Sequence, residues 1–285
     1  MNYRHAFHAG NFVDVAKHVT LLAVLGELLQ RPKPLTYLET HAGAGVYDLR
    51  GADARRSGEA AAGVVKLWRR AAGRTLPSAL NSYLHLLGAL NKTAPGQGAL
   101  LRYPGSPWLA QAVLRPGDKL FCCEWQDETA AALQRLLAGD HRASVQRRDG
   151  YQALAALLPP RIRRGLLMID PPYEAADEFR RAGEAFVQAC RRWPAGVALL
   201  WYPLKNPAAV AGLHRSLRDS GVRKLLLTEC RQVPADHPPG LHGGGLVIAN
   251  PPWQAAAGIR EALRAVVDLL APKLGSVRVA WLAPE

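Results

Sequence analysis

No apolar run in this chain approaches the length of a membrane-crossing helix. The first ten residues, MNYRHAFHAG, lack the apolar core that a secretion signal needs. Cysteine is scarce. Cys122, Cys123, Cys190 and Cys230 form no CxxC pair. The first two lie inside an apolar run and read as buried small hydrophobes. His5, His8, His18 and His41 follow no zinc spacing. These absences argue against a membrane span, a disulfide scaffold and a zinc module. The expectation is a reduced, cytoplasmic, soluble protein. Acidic charge is also short, with 23 Asp and Glu against 36 Lys and Arg, a formal net charge of +13. That excess favours a polyanionic partner, nucleic acid first and a membrane surface second. Most of the cations are Arg, which grips phosphate with two parallel hydrogen bonds. The bland reading of the charge is an Arg- and Ala-rich composition with no partner behind it.

What is present is an ordinary globular composition. Hydrophobic residues make up 49% of 285, with 26 Gly and 21 Pro, enough for one large domain or two small ones with many loops. Asn11 can cap a helix over 12–30, which Pro32 and Pro34 end. Its apolar stripe is Phe12, Val15, Val19, Leu22, Ala23 and Leu29. On that periodicity Lys17 and His18 read as a solvated face. A strand over 35–39 then runs into Thr40-His41-Ala42-Gly43-Ala44-Gly45. A Gly-rich turn after a strand lets the backbone approach a ligand. It is not the dinucleotide GxGxxG, since no third Gly follows at that spacing. Residues 46–118 break the strand-helix alternation and read as a helical insertion. Near its end Ser106-Pro107 reads as a helix start, with Ser as the cap. From Lys119 strands and helices alternate regularly, which argues for βαβ units and a mostly parallel sheet. One strand near Leu246 is expected to run antiparallel. The fold expected is a single α/β domain over 1–285 with the 46–118 insertion inside it.

The stretch Gly165–Tyr173, GLLMIDPPY, anchors the reading of function. Four apolar residues between Gly165 and a pair of prolines read as a strand buried on both faces. Ligands in such sheets sit past the carboxyl ends of the strands, where Asp170 stands. Pro171 and Pro172 stiffen the turn. It offers a carboxylate, carbonyls and the Tyr173 ring, which suit a planar amine-bearing base. Glu124 and Asp149 end the two preceding strands. In a nucleoside-binding crevice the first suits a ribose diol and the second an adenine N–H. Each acid taken alone is as well explained by helix capping. Three in register behind a Gly-rich turn point to a ligand.

Asp170-Pro171-Pro172-Tyr173 resembles the (D/N/S)PP(Y/F/W) motif of S-adenosylmethionine (SAM)-dependent amino-methyltransferases. The likeness extends through Tyr3-Arg4-His5, His8-Ala9-Gly10-Asn11, Asp14-Val15, Lys17-His18, the Gly-rich turn, Gly105-Ser106-Pro107 and Asn250-Pro251-Pro252-Trp253. Together these motifs resemble the RlmJ family, which methylates adenine N6 in 23S ribosomal RNA. The resemblance implies a Rossmann-like class I methyltransferase sheet with SAM as cofactor. It implies SAM contacts from Lys17, His18, His41, Gly43, Ser106, Glu124, Asp149, Gly150 and Asp170. It makes Asp170 catalytic together with Pro171 and Tyr173, the latter stacking on the base. It puts Tyr3 and His5 near the target RNA. The expected partner is naked or partly assembled ribosomal RNA, bound by a monomer, with no metal. RNA contacts are expected from Arg69-Arg70, Arg147-Arg148, Arg161-Arg163-Arg164, Arg180-Arg181 and Arg191-Arg192. Asn250 fits the same four-letter motif, but an antiparallel strand would send it to the other sheet edge. The alternatives are a DNA adenine-N6 methyltransferase, a non-catalytic RNA-binding protein and a glutamine-N5 methyltransferase.

Overall fold

A computed structural model describes residues 5–238 and 240–284. Tyr3 and Arg4 lie outside the described residues. The chain opens with an 18-residue helix, α1 (Phe12–Leu29), capped by Asn11, whose side chain accepts from the Asp14 N–H. Strand β1 (Thr36–Glu39) follows, then a two-stranded antiparallel ribbon of β2 (Val46–Asp48) and β3 (Arg102–Pro104). Looped out between the ribbon strands are α2 (Ala52–Ser57), α3 (Lys66–Arg70) and α4 (Ser78–Asn91). The ribbon closes this excursion at Pro104. The next helix, α5 (Ser106–Val113), therefore belongs to the crossover into the sheet rather than to the insertion.

Regular alternation then follows through β4 (Lys119–Glu124), α6 (Asp127–Leu136), β5 (Ala143–Arg147), α7 (Gly150–Leu157) and β6 (Gly165–Ile169). It continues with α8 (Glu178–Arg192), β7 (Val197–Pro203), α9 (Pro207–Asp219) and β8 (Leu225–Arg231). The last elements are β9 (Gly243–Ala249), α10 (Ala255–Leu270) and β10 (Ser276–Ala283).

Eight strands form one sheet in the order β5-β4-β1-β6-β7-β9-β8-β10. β5, β4, β1, β6 and β7 pair in parallel, while β9 runs antiparallel to both β7 and β8. β9 is the reversed strand expected near Leu246, and edge strand β10, antiparallel to β8, is a second. Strand β6 shows why its sequence is an unbroken apolar run. Leu166 and Met168 enter the core beneath α1, α4, α5 and α10, and Leu167 and Ile169 enter the core beneath α7, α8 and α9. Burying these four side chains contributes at most about 6–12 kcal/mol of transfer free energy. All four cysteines are buried and free. No helix among the described residues is long and apolar enough to cross a membrane.

The insertion is tied to the chain start and to α10. The Val64 N–H donates to the Gly10 carbonyl at 2.8 Å, and the Asn11 amide donates to Glu59 at 2.8 Å. Lys66 Nζ and Arg70 donate to the Leu270 and Leu269 carbonyls, satisfying the end of α10. These ties hold the ribbon and α2 over the carboxyl edge of β1.

Candidate active site

The carboxyl ends of β1, β4 and β6 open into a cavity of about 360 Å³. Asp170, Pro171 and Pro172 form one wall, the turn 41–44 another, and Glu124 to Gln126 a third. Gly105 and Ser106, at the start of α5, face it, with Lys17 and His18 behind. His5, Tyr47 and Asp53 close the side made by the chain start and the insertion.

Lys17 and His18 are not on a solvated face; they are 5% and 1% exposed. The reason is that α1 is buried on all sides from Phe12 to Leu25, so periodicity could not single out a wet face. Lys17 Nζ bridges two carboxylates, 2.7 Å from Asp170 Oδ2 and 2.9 Å from Asp14 Oδ1. Burial opposes the ammonium charge, but Asp14 and then Asp170 outweigh it and hold the Lys17 pKa well above its ordinary value. Burial likewise opposes the Asp14 charge. Lys17, His18 and His5 overcome that penalty, and its pKa lies well below the usual range. Asp170 Oδ1 makes no hydrogen bond among the described residues and is the acceptor left for a ligand.

The remaining groups are mostly neutral donors and acceptors. His18 Nδ1 sits 2.9 Å from the Tyr103 hydroxyl, and burial depresses its pKa to about 3. Burial also lowers the His41 pKa, to about 4, with its ring edge against Tyr151 at 4.9 Å. His5 reaches Asp14 at 3.2 Å and stacks obliquely on Tyr47, with ring centroids 4.9 Å apart. Glu124 Oε2 accepts from the Gly43 N–H and Oε1 from the Gln126 N–H, both at 2.8 Å. The acid thus fixes the Gly-rich turn while lining the cavity. Gly43 has φ +66°, and a Cβ there would stand 2.2 Å from the Tyr47 hydroxyl. Only glycine fits a turn drawn that close.

One expectation is corrected, and the surroundings of three further site residues are defined. Ser106 does not cap α5; Gly105 occupies the cap position. Its hydroxyl donates instead to buried Glu39 at 2.5 Å, beside a 2.8 Å bond from the Tyr37 hydroxyl. Asp149, at the carboxyl end of β5, caps α7, accepting from the Tyr151 and Gln152 N–H groups. Gly150 opens α7 against the Thr40 carbonyl, 2.0 Å from where a Cβ would stand. Tyr173 follows Pro171 and Pro172 on the same turn. At φ +53° its ring turns against Phe179 and Trp201, and its hydroxyl donates to the Trp201 carbonyl at 2.6 Å. That bond clamps the DPPY turn to β7.

Several Arg residues expected on RNA also have work inside the protein. Arg180 pairs with Asp177 and Glu184, Arg147 pairs with Asp127, and Arg181 lies over the Tyr151 ring. Arg191 and Arg192 donate to the Ser220 and Ala155 carbonyls, and Arg164 to the Lys33 carbonyl. Periodicity alone gave Lys17 and His18 no place in the site, and Asp14 behind them was given no role. Asp14, Lys17 and His18 share one face by spacing, and three ionisable side chains inside an apolar helix were the available signal. Tyr47 and Asp53 come from the insertion, where no local pattern marked them.

A nucleoside-sized group fits this cavity. Its volume lies in the range of small-molecule sites. The N–H groups at the start of the eight-residue α5 suit an anion, Glu124 offers acceptors, and the backbone at Gly43 is bare. Strand order β5-β4-β1-β6-β7-β9-β8, with the crevice past β1, β4 and β6, is that of a class I SAM-dependent methyltransferase. Within that class the chain belongs to the RlmJ family: residues 32–283 match the family described as "Ribosomal RNA large subunit methyltransferase D, RlmJ". It is 35% identical to ribosomal RNA large subunit methyltransferase J of Escherichia coli over 286 residues, covering 100% of both chains. Identity to the Haemophilus influenzae protein of the same name is 33% over the same full length. A crystal structure of a Legionella pneumophila protein superposes with a TM-score of 0.87 at 34% identity, covering 96% of this chain and 98% of that one.

Proposed function

We propose that this chain transfers the SAM methyl group to the N6 amine of one adenine in 23S ribosomal RNA. The observation that carries the reading is Asp170, held in the cavity by Lys17 through Oδ2 with Oδ1 left as an acceptor. Adenine N6 is a poor nucleophile because its lone pair is delocalised into the ring. Asp170 Oδ1 and the Pro171 carbonyl accept from the two N6–H bonds. This favours the pyramidal amine and stabilises positive charge as it develops. Lys17 fixes the carboxylate through Oδ2, and Asp170 acts mainly as an acceptor. Glu124, the Gly43 backbone, Ser106, His41 and His18 hold the cofactor, which supplies a methyl group on a sulfonium. Orientation for in-line transfer is then the protein's main task. The base must be single-stranded or flipped out to reach the cavity. His5 borders the base. Trp201 lies 5.7 Å from Lys17 Nζ, beside the acceptor.

In this reading the chain is one methyltransferase domain whose inserted helices frame the cofactor side. It acts in the cytoplasm as a monomer on naked or partly assembled large-subunit RNA. The test is Asp170→Ala with labelled SAM and 23S RNA. Lys17 retains Asp14 as a partner in that variant, so the fold should survive. Methylation is expected to vanish while S-adenosylhomocysteine still binds by calorimetry. Near-normal turnover would refute the assignment.

A further inference from the structure

The sheet edge opposite the cavity carries a feature that methyl transfer does not use. Because β9 is reversed, Asn250-Pro251-Pro252-Trp253 leaves the sheet there. Asn250 adopts φ +49°. Its amide donates to the Pro194 and Gly196 carbonyls at 2.6 and 3.1 Å, and its N–H to the Lys224 carbonyl at 3.1 Å. Three hydrogen bonds thus fix a turn whose Trp253 is 96% exposed. An indole held in water by a stiff turn gives up a large apolar contact area that a partner can reclaim.

Charge identifies that partner. The segments entering β8, β6 and β1 on this same edge present exposed Arg223 and Lys224, Arg161 and Arg163, and Arg31 and Lys33. From β8 to β1 the edge crosses four strand spacings, about 19 Å. Arg161, Arg163, Arg31 and Lys33 make no side-chain hydrogen bond among the described residues, unlike the Arg residues already accounted for. Asp219, at the end of α9, is an exposed acid on this edge and is outnumbered. An exposed aromatic flanked by a row of cations matches a single-stranded nucleic acid, with a base on the ring and phosphates along the row.

We propose that this edge is a second RNA-binding surface. Trp253 stacks an unpaired base of the ribosomal RNA at a distance from the target adenine, and Arg161, Arg163 and their neighbours hold the adjoining phosphates. The inference rests on ribosomal RNA being the substrate. It adds that the protein grips RNA on two opposite edges, so that recognition exceeds what the cavity alone can read.

The test compares wild type, Trp253→Ala and Arg161→Ala/Arg163→Ala on naked large-subunit RNA and on a short oligonucleotide carrying the target adenine. Both variants alter exposed side chains, and thermal unfolding should match wild type. On the long RNA, Trp253→Ala should weaken binding by anisotropy and raise KM about ten-fold, with kcat unchanged. The double Arg variant should flatten the slope of log affinity against log salt by about 1.5. Neither variant should affect the short substrate. Unchanged long-RNA affinity and salt slope would overturn the proposal. So would a change confined to self-association in sedimentation, which would mark the edge as a protein contact. If wild type binds the RNA without methylating it and Trp253→Ala still weakens binding, the edge stands and the substrate assignment fails.

Discussion

Glu39 offers a prediction that can be worked in full. It is completely buried at the end of β1, between the Tyr37 and Ser106 hydroxyls. Burial drives its pKa up, the Ser106 and Tyr37 hydrogen bonds pull it partly back, and it settles at about 8 against an ordinary 4.5. Between those values the folded state holds a proton that the unfolded state has released. Stability is therefore fully present below pH 4.5 and is lost as pH rises toward 8. The 3.5-unit difference, at about 1.36 kcal/mol per unit, gives a loss of about 5 kcal/mol over the whole window. Between pH 5.5 and 7.5 the loss is about 2–3 kcal/mol. Glu39→Gln keeps groups able to bond both hydroxyls and does not titrate. Urea unfolding of both proteins at several pH values should show the variant gaining about 2–3 kcal/mol on wild type between pH 5.5 and 7.5. A gap that stays constant over that range would show that Glu39 is ionised, and the burial argument would fail.

Lys17→Met leaves the buried Asp14 and the part-buried Asp170 without their cation, so it should cost about 3–5 kcal/mol in denaturant unfolding and abolish transfer; wild-type stability would contradict the bridge. Tyr173→Phe loses the bond to the Trp201 carbonyl and should cost about 1 kcal/mol with a reduced kcat. A ring that only stacked on the base would make this change silent in both measurements. Gly43→Ala meets both a positive φ and the Tyr47 hydroxyl, so S-adenosylhomocysteine affinity by calorimetry should fall at least about ten-fold; undiminished binding would place the cofactor elsewhere.

Much of the sheet was readable because its signals are local. The apolar run at Leu166–Ile169 is continuous since β6 is covered on both faces, and prolines or acids mark most strand ends. Asp170 and Glu124 could be placed by strand order alone. The errors arise where a residue's partner is distant in sequence. Lys17 looked solvated because its carboxylate Asp170 is 153 residues away. Ser106 looked like a cap because nothing nearby revealed a buried Glu39. The Tyr173 hydroxyl bond could not be foreseen because its acceptor lies on β7. Asp149 fits both explanations that its position offers: it caps α7, and it stands at the carboxyl end of β5. The β2–β3 ribbon that brackets the inserted helices is too short to show as strands in composition.

The central claim is that Asp170 directs methyl transfer to an adenine of 23S ribosomal RNA. The most direct measurement is mass spectrometry of 23S RNA from cells lacking this protein, complemented with wild type or with Asp170→Ala. One N6-methyladenosine should be missing without the protein, restored by wild type and not by the variant. An unchanged methylation pattern in the deletion strain, or restoration by Asp170→Ala, would contradict the account.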